Sequence, residues 1–176
     1  MTMATIDRII QFAQDHINYA RQELMKTRQF TSRNEHDLQD LRSMLQRSKL
    51  MGDNKLDLNF GSMLCNYIDG SSSLRNSQNA LATHLSLALS FIAEVLELLD
   101  SSRLADVSYY SYISVIRRLL SDIRFVLSDY DIKQIPKDGI ASGLARVEAI
   151  TKMSDGTRFS EISEMLRGIR QAIAYY

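Results

Sequence analysis

The sequence predicts an all-α protein, an antiparallel bundle of six or seven helices with coiled-coil-like heptad seams. Three observations carry that prediction. The 176 residues include only one Pro and seven Gly, too few for the tight turns of an all-β domain. Apolar residues recur at alternating steps of three and four in nearly every segment, the period of an amphipathic helix. Hydrophobic residues make up 45% and charged residues 24%, a composition that supports one folded core rather than a disordered chain.

The first predicted helix, about 4–28, carries an unbroken seam of Ile6, Ile10, Ala13, Ile17, Ala20 and Leu24. Asp7, Arg8, Asp15, Arg21 and Glu23 are left to solvent. Arg28 to His36 reads as a polar junction, because Ser32 and Glu35 have the spacing of a capping box for a second helix. That helix uses Leu38, Leu41 and Leu45 and ends near Gly52-Asp53-Asn54. A third, about 55–69, uses Phe60, Met63, Leu64 and Tyr67, with Gly70 as its C′ residue.

Gly70 to Ser73 predicts a break before the longest helix, about 73–100. Its seam runs Leu74, Gln78, Leu81, Leu85, Ala88, Ile92, Val95 and Leu99. Leu87, Leu89, Phe91, Leu96 and Leu98 lie off that seam, so the helix is apolar most of the way round. Such a helix is either the centre of a bundle or carries an oligomer interface. Its window Leu81 to Leu99 contains His84, Glu94 and Glu97, which argues against a bilayer span.

A fifth helix, about 107–130 and capped by Asp106, places Tyr109, Ile113, Ile116, Leu120, Ile123, Leu127 and Tyr130 in register. Residues 131–139 hold the only proline, Pro136, and form the expected loop between a main bundle, 1–130, and a C-terminal hairpin, 140–176, packed on it. The hairpin pairs a helix at about 139–153, with a small-residue stripe of Ala141, Ala145 and Ala149, and one at about 158–175. The latter has the seam Phe159, Ile162, Leu166, Ile169 and Ile173.

The chemistry is sparse. Basic and acidic residues both number 21, so nothing marks a dedicated binder of DNA or anionic membrane. Cys65 is the only cysteine and, in an apolar run, is expected to be a buried thiol. The first residues lack a signal-peptide layout, and the expected setting is the cytoplasm. His16, His36 and His84 have no ligand spacing, no Glu-x-x-His occurs, and neither a Gly-rich phosphate loop nor a Gly-x-Ser-x-Gly elbow is present. No catalytic, cofactor or metal site is therefore expected, and no family is assigned.

The remaining signal is for partners. Tyr109, Tyr110 and Tyr112 open the fifth helix, and one of them must point away from its core stripe. Tyr175 and Tyr176 end the chain. Tyrosine suits protein interfaces because its ring buries area while its hydroxyl stays paired or wet. With Leu87, Phe91 and Leu98, these residues predict a non-enzymatic interaction module, an adaptor, assembly subunit or regulator that self-associates. The alternative is a nucleic-acid-associated regulator using the 26–49 face. Arg42, Arg47 and Lys49 would carry it, with Lys26, Arg28 and Arg33, joined in space by Arg117, Arg118 and Arg124. A third reading is a helical enzyme with a closed polar pocket at His84 or Glu94.

Overall fold

Steps of three and four place Ile6, Ala13, Ile17, Ala20 and Leu24 on one line, and all are buried. In the computed structural model, which describes residues 3–50, 59–102, 104–128, 135–153 and 159–174, this line belongs to a single helix, α1 (Met3–Leu50). It is followed by α2 (Phe60–Ser101), α3 (Asp106–Leu127), α4 (Asp138–Met153) and α5 (Ser160–Ala174). The protein is all-α, with five helices among the described residues rather than six or seven.

The difference lies at two expected breaks that do not occur. Residues 28–32 continue α1, and Gly70 to Ser73 continue α2. The hydroxyls in the first stretch turn inward on the helix instead of capping a new one. Thr27 Oγ1 donates to the Glu23 carbonyl at 2.8 Å, and Thr31 Oγ1 to the Thr27 carbonyl at 2.7 Å. In the second, Gly70 and Ser71 lie beside α1, where Ser71 Oγ donates to Asn34 Oδ1 at 3.0 Å. Pairing of two long helices overrides weak local breakers, since most helix stability comes from tertiary packing. The Gly52-Asp53-Asn54 stop lies outside the described residues, as do residues 131–134 of the 131–139 loop, whose last two residues begin α4. Asp106 is the first residue of α3 rather than its cap; Ala105 is the N-cap, without a side-chain bond.

Cross-contacts set the topology. Phe12 meets Phe91, His16 meets His84, Thr27 meets Ser77 and Asn34 meets Ser71, so α1 and α2 run antiparallel. Tyr112 bonds Asp7, and Arg21 pairs with Asp122, so α3 runs alongside α1 in the same sense. Ser86 bonds Gly139 and Arg146 meets Glu97, placing α4 along α2. Phe159 stacks on Tyr109 and Arg117 pairs with Glu161, placing α5 on α3. Each helix thus reverses its predecessor; α3 and α4 lie over α1 and α2, and α5 completes this layer by packing on α3 and α4.

One hydrophobic core joins all five helices, from Ile6 to Ile169. In α2 it takes Leu81, Leu85, Ala88, Leu89, Ile92 and Leu96, each fully buried, so the helix that is apolar most of the way round is central. By length and composition α2 could cross a membrane, a test that the core helix of a soluble protein also passes. In α4 the buried line is Ile140, Leu144 and Val147. The expected Ala141, Ala145, Ala149 stripe faces outward instead, with Ala145 and Ala149 exposed. The close approach is made by Gly143, where a Cβ would lie 3.1 Å from Leu89 Cβ and 3.4 Å from the Ser86 carbonyl.

The layer covers only part of the long pair. Beyond the buried Thr27, Leu41 is the one apolar residue of α1 that is buried, and α2 buries nothing before Ser77 among the described residues. Thr27 and Ser77 mark the boundary as a polar layer, with their hydroxyls 2.8 Å apart and Ser77 Oγ 3.0 Å from the Glu23 carbonyl. Residues 28–50 and 60–76 therefore project as a two-helix arm, which at 1.5 Å per residue is about 35 Å long on α1 and about 25 Å on α2.

Candidate partner-binding surface

Phe12, His16 and Tyr19 share a stripe of α1, and His84, Leu87 and Phe91 share one of α2, because steps of three and four repeat a helix face. His16 immediately precedes the buried Ile17, and His84 immediately precedes the buried Leu85. In an antiparallel pair that common offset puts both stripes on the same side. Ser86, one residue after Leu85, bonds α4, so the stripes lie on the side away from the covering layer.

The five aromatic side chains form one continuous patch, and Leu87 borders it on the α2 stripe, where it also lines a groove with Pro136 and Gly139. His16 stacks on Phe91 with centroids 5.7 Å apart and on His84 at 5.2 Å. Phe12 packs on Phe91 at 5.5 Å, and Tyr19 on His84 at 5.3 Å. The patch is ordered by these contacts yet open to solvent: Phe12 is 44% exposed, Tyr19 47% and Leu87 38%. Soluble proteins scatter single exposed apolar residues, whereas a contiguous aromatic patch marks a binding surface.

At its centre, His16 Nδ1 and His84 Nδ1 are 2.9 Å apart. One ring must donate and the other accept, so at least one of the two is neutral. Burial lowers the pKa of His84 below its ordinary value of 6.5, positive charge on His16 lowers it further, and Glu23 partly opposes both. The unfolded chain thus binds a proton more readily than the folded one. The stability contribution of neutral His84 is present above pH 6.5 and is lost as the pH falls through its lowered folded value. The expected result is a melting temperature that falls between about pH 7.5 and pH 5.5, and a shallower fall in His84→Phe, read by circular dichroism.

Of the sequence-predicted residues, the structure brings Phe91 into this patch, sets Leu87 at its edge and places the others elsewhere. Leu98 is partly buried against the core. Tyr109 and Tyr112 are buried, each 7% exposed, and Tyr110 alone of the three points out, at 69%. Tyr112 Oη donates to Asp7 Oδ1 at 2.9 Å. Burial, that bond and the Asp7 charge push its phenol up to about 12, which fits a structural tie between α3 and the start of α1. Tyr175 and Tyr176 lie outside the described residues. Phe12, His16 and Tyr19 went unread because the apolar seam beside them dominates α1; their own 4-then-3 spacing was the available signal.

Other expectations are corrected. Cys65 is exposed, not a buried thiol, because it stands on the arm, where there is no core to enclose it. Arg42, Arg47 and Lys49 are exposed on that arm. Arg117, Arg118 and Arg124 do not join them: the α3 residue Asp122 is level with Arg21, and Arg42 lies about 30 Å further along α1. His84 sits in the open patch rather than a closed polar pocket, and Glu94 is exposed. Among the described residues, no three His, Cys, Asp or Glu side chains gather where they could hold a metal ion. A groove of about 260 Å³ between α4 and α5 holds Glu148, Thr151, Ser163 and Arg170. There Arg170 pairs with Glu148, while the Thr151 and Ser163 hydroxyls donate to backbone carbonyls. The Arg170–Glu148 pair joins the two helices, and the two hydroxyls bond within their own.

No family model, curated protein or solved structure matches the chain.

Proposed function

We propose that this chain is a non-enzymatic protein-interaction module of the cytoplasm, an adaptor, assembly subunit or regulator that self-associates through helix faces. The observation that supports this reading most is the aromatic patch of Phe12, His16, Tyr19, His84, Leu87 and Phe91, held in fixed geometry on a well-packed body and left uncovered. Binding there needs little ordering of side chains, since each ring already rests on another, and preorganisation is what lets buried area appear as affinity. The long α1–α2 pair, buried at steps of three and four, fits coiled-coil-like packing and gives the module a rigid frame.

Light scattering coupled to size exclusion tests the self-association. The expected result is a mass that rises above the 20.1 kDa of one chain with increasing protein concentration. A mass fixed at that of one chain throughout the accessible range overturns the reading.

A further inference from the structure

The arm presents a second uncovered surface with a pattern of its own. On α1, Glu35, Leu38, Arg42 and Leu45 follow steps of three, four and three and so share a stripe. On α2, Leu64 and Ile68 share another. Arg42 follows the inward-facing Leu41, and Ile68 follows Tyr67, which is level with Leu38 on the facing helix. In an antiparallel pair this common offset puts both stripes on one side, just as the opposite offset joins His16 to His84. It is the side that α3, α4 and α5 cover over the body, and over the arm it is bare: Leu45 is 47% exposed, Leu64 39% and Ile68 56%.

Resting on the self-association reading, we infer that a second copy of this chain covers the bare side of the arm, packed antiparallel about a two-fold axis near Leu38, so that the two arms close a four-helix bundle. Three observations select this occupant. The first is charge: a two-fold interface must be complementary to itself. Rotation about an axis between Leu38 and Gln39 carries Glu35 of one copy onto Arg42 of the other, twice over, at the centre of the overlap; the like charges that it also brings together, Arg28 and Lys49, fall at the exposed ends, where salt screens them. The second is apolar register. Asn34 touches Ser71, so Leu38 is level with Tyr67, and the same rotation brings Leu64 within about one residue of Ile68 of the second copy and sets the two Leu38 side chains next to each other. The third is length. On α2 the arm runs from Phe60 to Asn76, and its midpoint, Ile68, is level with Asp37, so full overlap of two arms places the axis within about two residues of where charge and apolar register place it.

The size suffices. Two helices, about 20 Å across together and about 35 Å and 25 Å long, offer roughly 600 Å² per copy, or roughly 1,200 Å² in all, which reaches the range of stable interfaces. The arm is also what such a partner would complete, since Leu41 is its one buried apolar residue among those described. Packing two arms face to face gives Leu38, Leu64 and Ile68 the apolar neighbours they lack and lays Leu45 over Ser32 of the second copy.

Cys65 supplies the test. It is the only cysteine, it is exposed, and it lies within about one helical turn of the proposed axis. In the full chain, a bismaleimide reaching about 10 Å, the separation of packed helix axes, is expected to give a covalent dimer. Glu35→Arg and Arg42→Glu are each expected to weaken dimerisation more than about tenfold, because each creates two like-charge contacts. The double variant, with both charges reversed, is expected to restore dimer and cross-link together. Ile68→Asp is expected to give a monomer with an unchanged circular dichroism spectrum, since its side chain is exposed. A chain that is dimeric by mass but neither cross-links at Cys65 nor responds to the charge reversals overturns this inference and leaves self-association standing. A chain that is monomeric throughout overturns both.

Discussion

Phe159→Ala is expected to cost about 3–5 kcal/mol of folding stability, a large share of what a domain of this size commands. Phe159 is 1% exposed at the very start of α5. Its ring stacks on Tyr109 with centroids 6.3 Å apart, and its carbonyl accepts the Ser163 amide in the first turn of the helix. The residue therefore joins local and tertiary structure: it opens the first turn of α5 and anchors that turn to α3. Along α5 the buried Ile162, Leu166 and Ile169 continue this anchoring, whereas the polar tie near its start adds little. The Arg117–Glu161 pair is half-exposed on both sides and, like most surface ion pairs, is worth about 1 kcal/mol or less. Urea unfolding monitored by circular dichroism should show a large fall in midpoint for Phe159→Ala and a much smaller one for Phe159→Leu, which keeps most of the volume. Equal midpoints for Phe159→Ala and the natural chain would sink the argument.

The same contrast between packing and local signal explains what could be read from the sequence. The seams Tyr109 to Leu127 and Phe159 to Ile169 were legible because each helix there has one buried face, and burial imposes a period on the choice of residues. The junctions at Ser32 and Gly70 were misread because capping and glycine signals describe a chain segment alone. The determining fact was nonlocal: Asn34 and Gly70 lie side by side on two paired helices, and that pairing decides the backbone. Residues 81–99 were legible as a surplus of apolar groups, but not as to which would be covered. Leu89 and Leu96 are fully buried while Leu87 is exposed, a distinction set by where α4 docks. The patch combines both cases. Phe91 belonged to a visible surplus, whereas His16 and His84 are 68 residues apart, and no spacing rule connects them.

Leu85→Ala is expected to destabilise the body by about 2–5 kcal/mol. Leu85 is fully buried, and its chain neighbours report what lies on either side of it. His84 belongs to the aromatic patch, and Ser86 Oγ donates to the Gly139 carbonyl of α4 at 2.9 Å. A cavity at Leu85 thus loosens the floor of the patch and the seat of α4 together, and neither can relax into it freely. His84 is tied to His16, and the approach of α4 is already close at Gly143, where even a methyl group would meet Leu89 at 3.1 Å. Leu85→Met, which conserves volume, should cost less than about 1.5 kcal/mol. Ile68→Ala on the arm should cost the monomer about 0.5 kcal/mol or less, since an exposed side chain leaves no cavity. The three variants together separate a body that carries the folding stability from an arm that carries little. Chemical denaturation below the concentration at which chains associate is the measurement. An Ile68→Ala cost as large as that of Leu85→Ala would mean that the arm has a core of its own, and the case for a partner to complete it would fail with that result.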